Sequence, residues 1–372
     1  MAVRYIQVKP ISELFSPAVR AFGNIAIVGN APVGPTNTPW LFTNPDDAKA
    51  QFAPSDVTLP KGDLYNAIER AFLQTPGPSV VYGVRTAATP DWAASLATLN
   101  TLDVQLVVLA NTPLSTTNAT GAIAELVKHV TGVSNTGEDG RERMGVAMLE
   151  KGSKNAALVA GALADERMVY IAHNSDQDAA AAVAGTIAGY ESHISLLLKP
   201  VHIDSNPFTP AEIDTINGTE NFGDPPKGQG VNWLTSPVLI PGGGVYMGEG
   251  YTGNPGGGKK FIDIVRTIDD VSFRLKARLI NAIGNLRISR SGLRSLIAQM
   301  EAVLNPLVSN EVIESYEFVL PLLALLDKNP DSLTPAQIQQ IHDAQAQRLV
   351  QVLVAVEYAG AIHRLAITLK FE

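Results

Sequence analysis

The first apolar run of the chain is Asn24-Ile25-Ala26-Ile27-Val28-Gly29. A continuous run of apolar, β-branched-rich residues that ends at a glycine is typical of a strand buried on both faces of a sheet. Further runs of the same kind follow along the chain, at Ser79–Val84, Val104–Ala110, Met144–Leu149 and Met168–Ala172. Together these runs predict the strands of one buried sheet.

The segments between these runs have helical spacing. Leu64, Ile68 and Phe72 fall on one face of a predicted helix over Asp63–Gln74. The other predicted helices are Asp91–Leu102, Gly121–Val130 and the alanine-rich Asp176–Tyr190. Buried strands that alternate with helices predict a mostly parallel sheet covered by helices on both faces, because crossover helices pack back onto the sheet. We therefore predict an α/β domain.

The second half of the chain has a different pattern. Val201–Lys260 is rich in proline and glycine, and its capping box Thr209-Pro210-Ala211-Glu212 predicts one short helix among loops and a hairpin. Beyond it, one helix stripe is formed by Val271, Leu275, Leu279, Ala282, Ile283 and Leu286. Thr334-Pro335-Ala336-Gln337 starts another helix, which the apolar Leu349–Val356 allows to continue. We predict a smaller, α-rich second domain.

Composition excludes several classes of protein. The chain has 372 residues, 45% of them hydrophobic, which is enough for about two ordinary cores. Its net charge of -8 argues against a surface that grips nucleic acid or anionic lipid as a whole. No apolar run approaches the about 20 residues of a membrane span, and the N-terminus shows no secretory signal. The absence of cysteine and of paired histidine motifs leaves a metal site without support in the sequence.

Both ends of the chain have the character of arms. Residues 1–23 precede the first core strand, and their short apolar stretch includes Tyr5, Ile6 and Val8. After Gly360, an alternating apolar face predicts a strand, formed by Leu365, Ile367, Leu369 and Phe371. Such a strand must pair, because unpaired backbone groups and an apolar face are costly. The pattern alone leaves open whether it completes its own sheet or a neighbour's.

Two glycine motifs are typical of enzymes. Gly248–Gly253 has the form G-x-G-x-x-G, and Gly253–Lys259 has the form G-x-x-x-x-G-K. No predicted helix opens at these glycines, and Lys260 stands where magnesium coordination needs Ser or Thr. We favour a loop here. The alternative is an α/β enzyme for a nucleotide or small acid that uses Gly248–Lys259 as its binding loop.

A histidine lies at another position that often carries chemistry. His173 ends a predicted strand just before a predicted helix, a common place for catalytic groups in α/β proteins. The interpretation we favour is structural, with Asn174 or Ser175 as the N-cap of that helix.

One stretch of the chain is exclusively basic. Between Val271 and Arg294 there is no acidic residue, and the basic ones are Arg274, Lys276, Arg278, Arg287, Arg290 and Arg294. On a helical wheel, Arg274 and Arg278 border the apolar stripe on one side, and Lys276 and Arg287 border it on the other. These residues either line the rim of a buried helix or dock on an acidic partner.

The order of these features resembles the contractile tail sheath proteins of phages, pyocins and related injection systems. The resemblance covers nearly the whole chain and rests on the order of several short motifs: Ile25–Pro39, Asn44–Asp47 with Phe52, Val80–Arg85, Ala179–Tyr190, Gly230–Leu234, Val245–Thr252 and Phe261–Ile268. Two positions depart from the family pattern, since Tyr251 and Thr267 stand where the family usually has arginine.

The resemblance implies an architecture. It implies an N-terminal linking arm (1–23), an outer α/β domain (24–260), a C-terminal domain that faces an inner tube (261–360) and a C-terminal linking strand (361–372). The strand residues would be Leu365, Ile367, Leu369 and Phe371, and the N-terminal arm would use Tyr5, Ile6 and Val8. The candidates for facing the tube are Arg274, Lys276, Arg278 and Arg287.

The resemblance also implies a role. The chain would be a non-catalytic subunit that polymerises helically with itself around an inner tail tube and contracts to drive the tube through an envelope. Its other partners would be baseplate and tail terminator proteins, with no cofactor, no direct contact with nucleic acid and no insertion into a membrane. It would reside in a virion tail or injection particle that is assembled in the host cytoplasm.

Overall fold

The computed structural model describes residues 23–56, 58–135, 140–220 and 227–363. These residues divide into two compact units. One unit, here called the sheet unit, contains residues 23–269 and 360–363, and the other, called the hairpin unit, contains residues 270–359. The domain borders expected from the sequence stay a prediction.

The sheet unit is built on one eight-stranded sheet. Its strands are β1 (Ile25–Gly29), β2 (Pro39–Phe42), β3 (Val81–Arg85), β4 (Leu106–Leu109), β5 (Met144–Met148), β6 (Met168–Ala172), β7 (Asn232–Thr235) and β8 (Tyr246–Met247). Their order across the sheet is β2-β3-β1-β4-β5-β6-β7-β8. The six inner strands run parallel, and β2 and β8 pair antiparallel at the two ends of this order. The predicted α/β class with a mostly parallel sheet is confirmed.

The central strand β1 is buried on both faces. Ile25 and Ile27 pack into one apolar core, and Ala26 and Val28 pack into the other, as the two-residue period of a strand requires. Helices from the connections cover both faces. The first core contains α1 (Pro45–Phe52), α2 (Asp63–Phe72) and α5 (Ala179–Gly189), and the second contains α3 (Trp92–Ala97), α4 (Ala122–Asn135) and α6 (Pro210–Asn217).

Helix α5 is buried along almost its whole length because its side chains are small. It packs on α2 so closely that a Cβ at Gly185 would lie 2.4 Å from the carbonyl oxygen of Ala71. The alanine-rich sequence therefore permits a backbone approach that larger side chains would prevent. Helix α6 begins at the predicted capping box, in which Thr209 and Glu212 exchange hydrogen bonds.

The opening motif Ile25–Pro39 is held by the arginine that ends β3. Arg85 donates from Nε to the carbonyl oxygen of Ala31 at 2.8 Å and from Nη1 to that of Gly34 at 2.5 Å. Gly34 has a φ of +98°, and a Cβ there would lie 2.8 Å from the ring of Phe52. Asn37 donates its amide to the Arg85 carbonyl at 2.8 Å. These motif residues therefore shape one loop of the sheet unit.

The hairpin unit combines helices with a two-stranded antiparallel sheet. Helix α7 (Ile262–Leu279) begins in the sheet unit and continues beyond Asp270 into the hairpin unit. The elements that follow are α8 (Arg290–Ser309), β9 (Ile313–Val319), α9 (Pro321–Leu326), α10 (Pro335–Gln347) and β10 (Leu353–Tyr358). Strands β9 and β10 pair with each other. Helix α10 begins at the predicted capping box of Thr334 and Gln337.

Two helical expectations for this unit are wrong. The predicted stripe stops at Leu279, where α7 ends, and Ala282, Ile283 and Leu286 lie in the turns that follow. Gly284 adopts a φ of +84° there, and Ile283 is 78% exposed. The helix that begins at Thr334 does not run through Leu349–Val356. It ends at Gln347, and the apolar residues beyond it form β10, because β9 offers them a partner strand.

A buried arginine holds the α4 side of the sheet unit together. Arg143 is 0% exposed and donates from its guanidinium to the carbonyl oxygens of Leu99 and Leu102, at 3.0 and 3.1 Å. Its Nη1 also lies 3.2 Å from Nε2 of His129, which accepts this hydrogen bond only as a neutral ring. Burial and the adjacent Arg143 charge lower the pKa of His129 to about 4.

This geometry predicts a specific pH dependence of stability. The folded pKa of His129 lies below its ordinary value of 6.5, so the unfolded chain binds more protons between about pH 6.5 and about pH 4. The His129 contribution is fully present above about pH 6.5 and is lost as the pH falls toward 4. In His129→Gln, whose amide oxygen still accepts from Arg143, the melting temperature should fall less over this window than in the wild type. His173, whose pKa is also lowered, is present in both proteins and therefore cannot cause a difference between them. Parallel curves of melting temperature against pH would contradict the role assigned to His129.

Candidate functional site

The glycine motifs lie in the loop between β8 and α7, and the amides of Gly248, Gly253 and Gly257 donate to backbone carbonyl oxygens. Gly248 donates its amide to the carbonyl oxygen of Trp233 at 2.8 Å, and Gly253 donates to that of Met168 at 2.7 Å. A phosphate site instead needs amides that point at the ligand from a helix N-terminus. The next helix of this segment begins only at Ile262. The loop expected from the sequence is therefore what the structure shows.

A buried asparagine fastens this loop to the sheet. Asn232, at the start of β7, is 0% exposed. Its Nδ2 donates to the carbonyl oxygens of Tyr170 and Tyr251 at 3.2 and 2.9 Å, and its Oδ1 accepts the Tyr251 amide at 2.7 Å. One side chain thus joins β6, β7 and the glycine loop, which explains why a buried strand begins with a polar residue.

Both lysines of the glycine loop have partners within the sheet unit. Lys259 Nζ lies 2.5 Å from Glu166 Oε1. Lys260 Nζ lies over the rings of Tyr251 and Phe261, 5.5 and 5.7 Å from their centroids. These contacts hold the end of the loop against the sheet unit. They also direct both ammonium groups at protein partners, whereas a phosphate loop directs its lysine at the ligand.

The crevice where doubly wound proteins bind ligands holds an asparagine that is bonded to two carboxylates in this structure. It lies at the carboxyl ends of β1 and β4, because the chain continues from β1 to one side of the sheet and from β4 to the other. There, Asn111 donates its amide to Asp178 at 2.7 Å and its Nδ2 to Asp63 at 3.0 Å. Burial raises the pKa of the Asp178 carboxyl. Two acidic groups at the starts of α2 and α5 disfavour an anionic ligand.

His173 is buried and has a partner on each ring nitrogen. The Ser175 amide donates to Nδ1 at 3.2 Å, so Nε2 carries the proton and donates to the carbonyl oxygen of Leu149 at 3.0 Å. Burial lowers the pKa of His173, in keeping with this neutral ring. The prediction that Asn174 or Ser175 caps α5 is wrong. Asp178 is the cap and accepts the Ala181 amide at 2.8 Å, because the helix begins later than the sequence indicates.

An open cavity of about 950 Å³ lies beyond the ends of β5 and β6. Its charged and titratable lining residues have mixed character and are Arg70, Lys151, Asp176, His202 and Asp204. Lys151 and Asp176 pair at 2.5 Å. In the part of the chain that the structure describes, no three His, Cys, Asp or Glu side chains are grouped to hold a metal ion. Within the same residues, no helix is long and apolar enough to span a membrane.

The basic stretch separates into residues with different surroundings. Arg274 pairs with Asp270 at 2.9 Å, and Arg290 and Arg294 lie 3.7 and 3.2 Å from Asp327. Lys276 and Arg278 are half-buried along α7. The helical-wheel placement of Arg287 beside Lys276 is wrong, because α7 ends at Leu279.

Arg287 has the most accessible charge among the candidates for facing a tube. It is exposed in the loop before α8, and its Nη1 contacts the Gly284 carbonyl oxygen at 3.4 Å. Arg274, Lys276 and Arg278 are each half-buried, as expected of cations at the rim of a packed helix.

The sequence-predicted linking residues lie outside the described residues. These are Tyr5, Ile6 and Val8 at one end and Leu365, Ile367, Leu369 and Phe371 at the other. The described chain stops at His363, just before the predicted strand. Sequence reasoning missed His363, whose ring is buried against Glu249, Ser195 and Phe261.

The β9–β10 sheet is small and partly uncovered. It contains two strands within the described residues, and residues of both strands share an apolar cluster with Val271 of α7 and Leu304 of α8. Its apolar side chains Val319, Leu353 and Val356 are exposed, Leu353 by 63%. Within the described residues, the outer edge of each strand pairs with no further strand, so this sheet is a candidate surface for adding one.

Comparison with known proteins gives matches in structure and none in sequence. No family model and no curated protein matches the chain. The anti-feeding prophage helical sheath in its contracted state matches with a TM-score of 0.67 and 13% identity, over 100% of this chain and 99% of that chain. The sheath complex of the extracellular contractile injection system PVC, also contracted, matches with a TM-score of 0.67 and 12% identity, over 100% of this chain and 99% of that chain. The sheath tail protein Lin1278 from Listeria innocua matches with a TM-score of 0.57 and 11% identity, over 92% of this chain and 96% of that chain. The chain therefore has the fold of these contractile sheath proteins.

The role of Asn232 predicts an unusually severe conservative substitution. In Asn232→Asp the introduced carboxylate still accepts the Tyr251 amide, but its other oxygen faces the two carbonyl oxygens to which Nδ2 now donates. We expect a loss of at least about 3 kcal/mol in the free energy of unfolding at pH 7, from several buried hydrogen bonds and a buried charge.

The same substitution has a pH signature. Protonation restores a donor, so the folded pKa of the introduced carboxyl is raised and the deficit relative to wild type should shrink as the pH falls from 7 toward 4. Asn232→Ala, which introduces no titratable group, is the control and should keep a constant deficit. Denaturant unfolding at both pH values measures this, and equal pH dependence of the two variants would refute the arrangement.

Proposed function

We propose that this chain is the structural subunit of a contractile sheath, which polymerises with copies of itself around an inner tube and shortens to drive the tube through a target envelope. The observation that carries the proposal is the fold likeness to two contracted sheaths over 100% of this chain and 99% of each of theirs. The likeness extends over both units, so it is not a property of the common α/β sheet alone. The particle that contains the chain would be a virion tail or an injection apparatus.

The hairpin unit supports a mechanism for linking subunits. We assign its β9–β10 sheet as the acceptor of linking segments from neighbouring copies. The apolar faces predicted around Ile6 and around Ile367 would pack beside the exposed side chains of Leu353 and Val319, which lie opposite each other on one face of the sheet. Their backbones would pair with the strand edges that have no partner strand within the described residues. A two-stranded sheet in one subunit thereby becomes part of a larger sheet shared by several.

Such a link explains both polymerisation and contraction. A donated segment makes a head-to-tail contact, in which donor and acceptor surfaces differ, and contacts of this kind propagate into helical filaments. Subunits joined through extended segments change their packing without separating. Contraction would then be a shift between two packings of the same subunit, with the extended packing metastable. A tube, a baseplate and a terminator complete the proposed set of partners.

We propose no catalytic role for the chain. The glycine loop donates the amides of Gly248 and Gly253 to Trp233 and Met168, and Asn111 is bonded to two carboxylates in the crevice at the sheet's switch point. These observations disfavour the alternative of an α/β enzyme with Gly248–Lys259 as its binding loop.

One group of side chains has the hydrogen-bond order of a catalytic triad. His363 lies between the hydroxyl of Ser195 and the carboxylate of Glu249, as a general base lies between a nucleophile and an orienting acid. The Ser195 Oγ, however, also accepts the Leu197 amide at 3.3 Å. None of the three residues lines the cavity beyond β5 and β6. We therefore assign them a structural role.

The linking strand is tested by a single proline. Ile367→Pro removes one backbone donor and one apolar contact of the predicted strand. If the strand is donated, the variant should remain a soluble monomer with a melting temperature close to that of the wild type, yet form no long cylinders in electron micrographs. Ile367→Val keeps the donor and the β-branched side chain, so it should assemble normally. Long cylinders from the proline variant would end the linking hypothesis, and an insoluble variant would place the strand in the subunit's own sheet.

The contact with the tube is tested by charge reversal at the exposed arginine. If Arg287 faces an acidic tube, Arg287→Glu should lower co-sedimentation with purified tubes, and added salt should weaken wild-type binding as well. Lys328→Glu is the matched control, because Lys328 is also an exposed cation of the hairpin unit but lies outside the basic stretch. Equal effects of the two reversals would remove Arg287 from the interface.

A further inference from the structure

We propose that His363 is an anchor that fixes the root of the C-terminal linking segment on the sheet unit. The inference rests on the proposed function, because it assigns a part to the segment that begins at residue 364. His363 would be a positioning residue that acts through this segment, and Glu249 and Ser195 would form its socket.

The contacts of His363 come from widely separated parts of the chain. Its Nε2 lies 2.8 Å from Ser195 Oγ, in the loop after α5, and its Nδ1 lies 3.1 Å from Glu249 Oε2, in the loop after β8. Its ring centroid lies 4.6 Å from that of Phe261, just before α7. The His363 side chain is 8% exposed. Both ring nitrogens and one ring face are therefore engaged.

The residues before His363 make no comparable attachment. Gly360, Ala361 and Ile362 are exposed, and the Ile362 side chain is exposed by 82%. An apolar residue adjacent to a buried core would normally be the one that packs. Here the apolar neighbour is exposed and the histidine is inserted, so among residues 360–363 the attachment is the polar contact of His363.

The socket is costly without its occupant. Glu249 is 6% exposed. Within the described residues, its carboxylate is hydrogen-bonded to His363. A buried carboxylate without a partner is strongly unfavourable. Glu249 therefore favours the state in which His363 is inserted, and removal of either side chain leaves the other buried without its partner.

An anchor at this point would prepare the linking segment for assembly. Residues held in the monomer lose their conformational freedom during folding, so this entropy is not lost again when subunits associate. The segment also leaves the subunit from a fixed position, which raises its effective concentration near the acceptor sheet of a neighbour. During contraction, a fixed root would keep the length of chain between the two subunits constant.

The absence of cysteine from the sequence allows a direct test on the monomer. Ile362→Cys provides a single exposed site for a nitroxide label next to the anchor. In the protein whose only change is Ile362→Cys, the electron paramagnetic resonance spectrum of the label should be that of an immobilised nitroxide. Addition of His363→Ala or Glu249→Leu should convert it to the spectrum of a mobile chain. The matched control is His342→Ala, since His342 is exposed on α10, and its label should stay immobilised. Glu249→Gln, whose amide oxygen can still accept from Nδ1, should retain most of the immobilised component.

Assembly of the same variants, without the label, tests the functional part. His363→Ala and Glu249→Leu should form fewer and shorter cylinders in electron micrographs than wild type and His342→Ala, while thermal unfolding shows that they fold. Should either fail to fold, Ser195→Ala removes one hydrogen bond and should give a partial release.

Three outcomes separate the hypotheses. A label that stays immobile in folded His363→Ala overturns the anchor. A released label with normal cylinders overturns its role in assembly. A wild type that forms no cylinders overturns the sheath proposal and with it that role, while the label spectrum still decides whether the anchor exists.

Discussion

Burial of the central strand on both faces is the constraint on which the sheet unit depends. Ile25 and Ile27 require one apolar layer and Ala26 and Val28 require another, so helices must cover both sides of the sheet. The connections between the parallel strands supply these helices. The small side chains of α5 then allow it to lie against both the sheet and α2. The layered architecture follows from one short stretch and its parallel neighbours.

A doubly wound sheet is common among enzymes, and it does not by itself specify an activity. What matters is the chemistry at the carboxyl ends of the strands. In this chain, Asn111 donates hydrogen bonds to the carboxylates of Asp63 and Asp178 there, and Asn232 holds the glycine loop on the sheet. Polar groups at the places where enzymes bind ligands serve the fold instead. Among the described residues, features available to partners include the exposed Arg287 and the exposed apolar side chains of the β9–β10 sheet.

The hairpin unit differs from the sheet unit in how completely it buries its elements. Its two apolar clusters are small, and its two-stranded sheet leaves apolar side chains such as Leu353 in solvent. An uncovered sheet with free edges is a liability for a monomer and an advantage for a subunit that shares strands. The anchored root at His363 and the uncovered β9–β10 sheet are therefore complementary features of one proposed assembly mechanism.

The sequence by itself determined the elements whose signal is local. The apolar runs of β1, β3, β4, β5 and β6, the spacing of α2 and both capping boxes are patterns within a few residues, and each predicted element is present. Where two local readings compete, tertiary context decided. The later part of Leu349–Val356, from Leu353 on, lies in β10 rather than in a helix because β9 is available, and Asp178 rather than Asn174 or Ser175 caps α5.

Only the tertiary structure revealed the buried polar contacts. Glu249 and Ser195 lie 114 and 168 residues from His363 along the chain, and no periodic pattern relates positions that far apart. Likewise, nothing in the sequence distinguishes Arg143 from an exposed arginine, although in the structure it donates to the carbonyl oxygens of Leu99 and Leu102. Hydrophobic periodicity is a property of consecutive residues, so the sequence displays it directly. The partner of a buried polar group is set by how the whole chain packs, and so only the folded structure identifies it.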